Sequence, residues 1–286
     1  MARVPGAWAR FVEREEAPPQ SGEGLSVRRP SETRLAFDAR TMVLVLAVAF
    51  LPPLLFLAWV RSAERHGREP WHAVFRAFAW GAVGAALFSI LGEWLLLWYY
   101  GSDLRRPEEL DAVFELPERF FLVIVAAPIV EELAKAWGLR GARRQMEEVE
   151  DGLVYGAAIG FGFAATENLI YAVAALVQQG ETAYWTTAIL RTFSGTFLHA
   201  SVTGLVGYGY AHAVVERRPF PGLLTLPFLV LAILIHAGFN AIANADAVWG
   251  FGVILGLSLT LIGILVHRIR HLDRAKRARV GGFFYP

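Results

Sequence analysis

Seven long apolar stretches dominate the chain, at residues 41–60, 73–100, 120–139, 153–178, 186–214, 223–243 and 248–267. Each reaches the roughly 20 residues that a helix needs to cross the hydrocarbon core of a bilayer. None alternates apolar and polar positions as barrel strands do, and helices and closed barrels are the structures that satisfy the backbone inside lipid. The pattern predicts an all-α fold, a polytopic transmembrane helical bundle of about seven spans, with an eighth crossing as the alternative. Pro52 and Pro53 fall within the first stretch and predict a kink there. Residues 101–119 hold six acids and three arginines and read as a surface connection with a short helix after Pro107.

Composition agrees. Of 286 residues, 55% are hydrophobic and 19% charged, whereas an ordinary soluble domain is about 45–50% apolar and about 25% charged. A soluble enzyme, a disordered chain and a fibrous one are thereby excluded. The absence of cysteine excludes disulfides, thiolate metal sites and cysteine nucleophiles. A net charge of +1 argues against a nucleic-acid partner and leaves the lipid bilayer as the surrounding medium. Three regions follow: a polar N-terminal tail over 1–40, a transmembrane domain carrying the chemistry over 41–267, and a basic tail over 268–286. The connections on one face of a seven-span arrangement (61–72, 140–152, 215–222) and the C-terminal tail carry 14 Lys and Arg. The opposite connections (28–40, 101–119, 179–191, 244–247) carry 8. The C-terminus is therefore predicted to be cytoplasmic. Gly152, Gly156 and Gly160 recur every four residues, a spacing that lets two helix backbones approach closely in lipid.

Ionisable side chains inside a span cost about 2.5–3.5 kcal/mol each on insertion scales and need a reason to be there. Glu131, Glu132 and Lys135 lie in the third stretch, Glu167 with Asn168 in the fourth, His199 in the fifth, and His236 with Asn240 in the sixth. At 1.5 Å per residue, Glu131, Glu167 and His199 lie about 17–20 Å below the predicted outer face and His236 about 10 Å. Four helices of alternating direction thus place carboxylates and imidazoles in overlapping layers, and a single buried polar site is the economical reading. Glu131 shares a helix face with Lys135, and His236 with Asn240. Glu132 is turned about 100° from Glu131, so one carboxylate is expected to face substrate while the other pairs with Lys135. Glu93 and His212 lie near stretch ends, where water is expected to satisfy them.

In these positions the sequence resembles the PrsW family of membrane-embedded proteases, within the wider group that contains the CAAX prenyl endopeptidases. The resemblance runs through Ala127-Pro128-Ile129-Val130-Glu131-Glu132-Leu133-Ala134-Lys135 and Phe163-Ala164-Ala165-Thr166-Glu167-Asn168-Leu169-Ile170-Tyr171. It continues through Leu198-His199-Ala200 and His236-Ala237-Gly238-Phe239-Asn240. It implies an intramembrane endopeptidase of a bacterial-type cell membrane, acting on a membrane-anchored, anti-sigma-factor-like protein. Carried over, Glu131 or Glu132 would activate water, Glu167 and His199 would complete the polar centre, and His236 and Asn240 would bond the oxyanion. The chain departs from the CAAX endopeptidase pattern at Lys135 and Glu167, so no prenyl specificity is inherited.

The sequence expectation is a metal-free glutamate mechanism with no cofactor. Zn²⁺ is the alternative, held by Glu167, His199 and His236, although no His-Glu-x-x-His segment occurs. Membrane carboxylates and histidines also mark proton- or cation-coupled transporters, but the motif-bearing stretches show no duplication of the kind that many carriers have. An inactive scaffold binding other membrane helices is the third reading. Oligomeric state is left open.

Overall fold

The computed structural model describes residues 39–101, 121–245 and 248–281, and every regular element in them is helical. Helix α1 (Ala39–Arg61) continues through Pro52 and Pro53. Helix α2 (Trp71–Ala79) passes through a widened π turn at Trp80–Ala85 into α3 (Ala86–Gly101). A second π turn, Leu122–Ala126, leads into α4 (Ala127–Ala142), which ends in one 3₁₀ turn at Arg143–Gln145. Then follow α5 (Val149–Gln179), α6 (Glu181–Phe193), α7 (Gly195–Val215), α8 (Pro221–Asn244) and α9 (Val248–Gly281). The acidic connection and most of the N-terminal tail lie outside the described residues.

Five helices are long and apolar enough to cross a membrane: Arg40–Arg61, Trp71–Tyr99, Val149–Gln179, Pro221–Asn244 and Trp249–Ala275. The two remaining stretches of the sequence fall outside that set for visible reasons. Residues 120–139 carry Glu131, Glu132 and Lys135. Residues 186–214 are not one helix but parts of two, divided at Ser194. The Ser194 hydroxyl donates back to the Leu190 carbonyl at 2.8 Å, a local bond that competes with the helical pattern, and a poor helix former, Gly195, comes next. Between α5 and α6, Gly180 has φ +91°, a left-handed joint suited to glycine.

The bundle is organised around α5, which is buried on all sides from Glu150 to Ala165. Its first turn closes a capping box, with Asp151 Oδ2 accepting from the N–H groups of Glu147 and Glu148 at 2.8 Å each. Helices α1, α2, α6 and α7 pack against α5. The glycine spacing explains the closest of these approaches. A Cβ at Gly152, Gly156 or Gly160 would meet the backbone carbonyl of Gly207, Thr203 or His199, so α7 lies antiparallel against bare α5 backbone. The periphery is apolar and exposed, as at Leu55, Leu91, Leu224 and Ile264, which suits lipid. One consequence reaches the polar residues: Gly160 sets the depth at which α7 presents His199.

Gly160→Val is therefore expected to destabilise the protein by at least the ~1–3 kcal/mol of ordinary overpacking, because the obstacle is backbone. Gly141→Ala, where an added Cβ meets nothing within 4 Å, is expected to behave as wild type. Thermal unfolding of the detergent-solubilised variants checks both.

Candidate active site

Helix α4 supplies three charges within two turns, and the π turn before it prepares their placement. Pro128 has no N–H, and in a regular helix its ring would crowd the carbonyl four residues earlier. The Ala127 N–H reaches back to the Leu122 carbonyl, the wider π spacing, which deprives the Val123 carbonyl of its usual donor. Asn240 of α8 fills that gap, with Nδ2 donating to Val123 O at 2.9 Å. The side-chain amide expected from the sequence to face an oxyanion thus also ties α8 to the start of α4.

The Lys135 ammonium occupies the middle of the site. Its Nζ lies 2.6 Å from Glu132 Oε1, 3.5 Å from Glu131 Oε2 and 3.0 Å from His199 Nδ1. Helix geometry explains the convergence, since the two glutamates precede Lys135 by three and four residues and both spacings share one face. The Phe163 ring stands 4.2 Å from Nζ and adds a cation–π contact. Glu132 and Lys135 are both 0% exposed. The closer pair is Lys135 with Glu132, and Glu131 is left with the looser contact.

Helix α8 brings His236, whose Nδ1 lies 2.9 Å from Glu132 Oε1 and whose Nε2 lies 3.9 Å from Glu131 Oε2. Helix α7 brings His199, whose Nε2 lies 2.7 Å from Glu167 Oε2 of α5. The two imidazoles meet edge-on with centroids 4.9 Å apart. The ammonium at His199 Nδ1 can only donate, so Nε2 carries the proton given to Glu167. Each imidazole is thus steered by a carboxylate on one nitrogen while the other faces the Glu131–Lys135 side. Glu131, Glu132, Lys135, Glu167, His199 and His236 come together, and Asn240 lies one turn from His236.

Sequence reasoning missed Arg191. Its guanidinium bonds Glu167 Oε2 at 2.7 Å and, through Nε, Asn168 Oδ1 at 3.0 Å. Asn168 Nδ2 donates to Thr196 Oγ1 at 2.8 Å, and Thr196 Oγ1 returns to the Arg191 carbonyl at 3.3 Å. This closed ring, backed by the Tyr171 face 4.0 Å from the guanidinium, holds the Glu167 carboxylate against His199. The available signal was a lone arginine inside the apolar stretch 186–214. Glu93 of α3 is half-buried. His212, by contrast, sits exposed at the end of α7 beside Glu216, as expected.

Glu131, His199 and His236 each offer one donor atom, and these atoms lie within 4.8 Å of one another. Glu131 Oε2 is buried without a hydrogen-bond partner. These N and O donors are of the kinds a divalent cation takes, and the carboxylates on the far imidazole nitrogens suit its outer shell. The Lys135 ammonium, however, lies 3.5 Å from Glu131 Oε2 and 3.0 Å from His199 Nδ1, so a cation held by all three would displace Nζ from them. Glu131 stands here where the sequence had suggested Glu167, because Glu167 Oε2 is taken by Arg191 and His199.

A buried carboxylate–histidine centre among apolar helices suits a membrane-embedded hydrolytic enzyme and equally an ion-coupled carrier, and similarity to known proteins decides between them. The chain belongs to the PrsW family: the family described as "PrsW family intramembrane metalloprotease" matches residues 69–267. Protease PrsW of Clostridioides difficile (strain 630) is 23% identical over 244 residues, covering 82% of this chain and 94% of that protein. Protease PrsW of Bacillus subtilis (strain 168) is 24% identical over 213 residues, covering 73% and 86%. Protease PrsW of Oceanobacillus iheyensis is 26% identical over 240 residues, covering 83% and 97%. No solved structure gives a significant match. The protein is thus an integral membrane protease, of a family whose description includes a metal.

The ring around Arg191 makes a specific demand. Arg191→Ala is expected to lower kcat by about 10–100-fold with KM nearly unchanged, the usual effect of releasing an outer-shell partner. Arg191→Lys, which keeps the charge but not the fork, is expected to recover part of it. Steady-state cleavage of a reconstituted single-span substrate measures both.

Proposed function

We propose that the protein is an endopeptidase that hydrolyses a membrane-anchored, anti-sigma-factor-like protein with water activated by a glutamate, at a centre built to hold Zn²⁺. The observation that carries this reading is the convergence of Glu131, His199 and His236 donors beside a second buried carboxylate, Glu132. Zn²⁺ held by those three residues would supply Lewis acidity to the scissile carbonyl. This reading takes the Zn²⁺ alternative of the sequence analysis in preference to the metal-free one.

The chain's own residues do the rest. Glu132 has one oxygen fixed by Lys135 and His236, while its Oε2 is buried without a hydrogen-bond partner. That oxygen takes a proton from the attacking water as the new C–O bond forms. It then returns the proton to the amine nitrogen as the peptide C–N bond breaks. Glu167, held by Arg191, orients His199, and Glu132 orients His236. The Lys135 ammonium offsets the charge that gathers in this dry site as the carbonyl oxygen becomes anionic. Asn240 borders the site as a further donor, because a carboxamide has two N–H groups and Val123 takes one.

The substrate reaches the centre from one side of the bilayer. Glu131 lies ten residues after Phe121, where the described part of its helical run begins, Glu167 beside His199 lies twelve residues before the end of α5, and His236 lies eight residues before the end of α8. At 1.5 Å per residue these are about 15, 18 and 12 Å from the same end of the bundle. With the C-terminus cytoplasmic, that end is the outer one. There a peptide can unwind near water, which a cleavable carbonyl requires because a helical one is already bonded.

Metal analysis and cleavage of a reconstituted substrate test the reading together. Glu131→Gln and His236→Ala are expected to lose both bound metal and cleavage. Glu132→Gln is expected to keep the metal while cleaving about 10²–10⁴-fold more slowly. The new N-terminus of the product is expected in the outer half of the substrate's span. Full cleavage by rigorously metal-free protein would refute the metal assignment, and full cleavage by Glu132→Gln would refute the base.

A further inference from the structure

The end of the bundle away from this centre carries a second, differently built site. Where α4 and α7 finish and α8 begins, a cavity of about 730 Å³ is lined by Arg140, Arg143, Tyr210, Phe220 and Leu223 among others. A smaller one of about 380 Å³ adjoins the other side of Arg140 and adds Arg76 and Trp137. We propose that the larger cavity binds the phosphate of an anionic glycerophospholipid from the adjoining leaflet.

Charge is the first ground. Among the described residues, neither Arg140 nor Arg143 has a carboxylate oxygen within 4.0 Å, whereas Arg218 nearby pairs with Glu216 at 2.9 Å and Arg191 pairs with Glu167. Among the described residues the Arg140 guanidinium has no hydrogen bond or ion pair, and it stacks on the Trp137 ring 3.9 Å away. That stacking orients the plane and leaves its N–H fork unused. Two guanidinium forks across one cavity are the arrangement that planar, bidentate recognition of phosphate oxygens uses.

Tyr210 is the second, independent ground. Tyr210 lines the cavity, and its hydroxyl, which has no hydrogen-bond partner among the described residues, is open to it as a donor. A phosphate oxygen held by the two arginines would supply that partner.

Location selects lipid as the source of the phosphate. The rim residues Phe220 and Leu223 are 71% and 67% exposed on the apolar periphery of the bundle, where acyl chains run. The cavity lies at helix ends, at headgroup depth, on the face with the larger count of Lys and Arg. Basic pockets between helices on that side of a membrane bind anionic headgroups. Tyr210 is eleven residues along α7 from His199, about 16 Å at 1.5 Å per residue, so the cavity is separate from the proteolytic centre.

The test uses the full-length protein in nanodiscs of phosphatidylcholine alone or mixed with phosphatidylglycerol, followed by gentle delipidation and native mass spectrometry. Wild type is expected to retain phosphatidylglycerol and to unfold at higher temperature with it than without it. The Arg140→Gln/Arg143→Gln variant is expected to lose about tenfold or more in lipid retention, the loss of at least one charge-assisted fork. Arg144→Gln, an exposed change of like charge that does not line the cavity, is expected to retain lipid as wild type does. Equal retention by all three proteins, or equal loss in both variants, would overturn the site in favour of general surface attraction. Protection by soluble glycerol phosphate as strong as that by the lipid would overturn the lipid assignment. Proteolysis in phosphatidylcholine alone is expected to be unchanged in Arg140→Gln/Arg143→Gln, so a failure here is distinguishable from a failure of the protease mechanism.

Discussion

A lysine ammonium buried away from both water and lipid headgroups cannot stand alone, and the architecture of this protein follows from how Lys135 is matched. Its Nζ touches Glu132, Glu131 and His199, which come from two helices, and Glu132 in turn holds His236 of a third. Burying an ion pair gains little net free energy, but removing one partner strands the other at several kcal/mol. The centre therefore acts as a register device as much as a chemical one. Helices α4, α7 and α8 are locked at one relative depth because any slip of a turn would leave a buried charge unmatched. Lys135 pairs with Glu132 and more loosely with Glu131, and Arg191 pairs with Glu167.

The backbone devices around the centre serve the same end. Bare glycine backbone on α5 lets α7 come close enough for His199 to reach Glu167. The π turn ahead of Pro128 frees the Val123 carbonyl, and Asn240 takes it up, so α8 is pinned beside α4 without using the ionisable groups. Packing and chemistry are thus joined at two points, Gly160 against the His199 carbonyl and Asn240 against Val123.

Much of this was legible in the residues. Charges inside apolar runs are costly enough to be informative singly, and Glu131, Glu132, Lys135, Glu167, His199 and His236 were found on that ground alone. The seven stretches and the all-helical class followed from length and hydropathy. What escaped depended on local breaks that hydropathy does not register. The division at Ser194 puts His199 one turn into a new helix, although it stays buried at the level of Glu167. It also turns Arg191 from a residue of the outer connection into a partner of Glu167. That Glu167 is engaged by Arg191 while Glu131 converges with His199 and His236 could not be read from spacing, because it depends on Arg191 arriving from a separate helix. Nor does hydropathy register that α3 packs so closely on α4 that a Cβ at Gly92 would meet Val130.

The interdependence of the buried charges can be measured directly through the thermal stability of Lys135→Met, Glu132→Gln and the double variant. If the ammonium and the carboxylate match each other inside the bundle, Lys135→Met alone lowers stability by about 3–5 kcal/mol, the cost of stranding a buried charge. The double variant then recovers most of that loss through a coupling of about 0.5–3 kcal/mol while remaining inactive as a protease. Single variants as stable as wild type, or losses that simply add in the double variant, would contradict a centre held together by this pair.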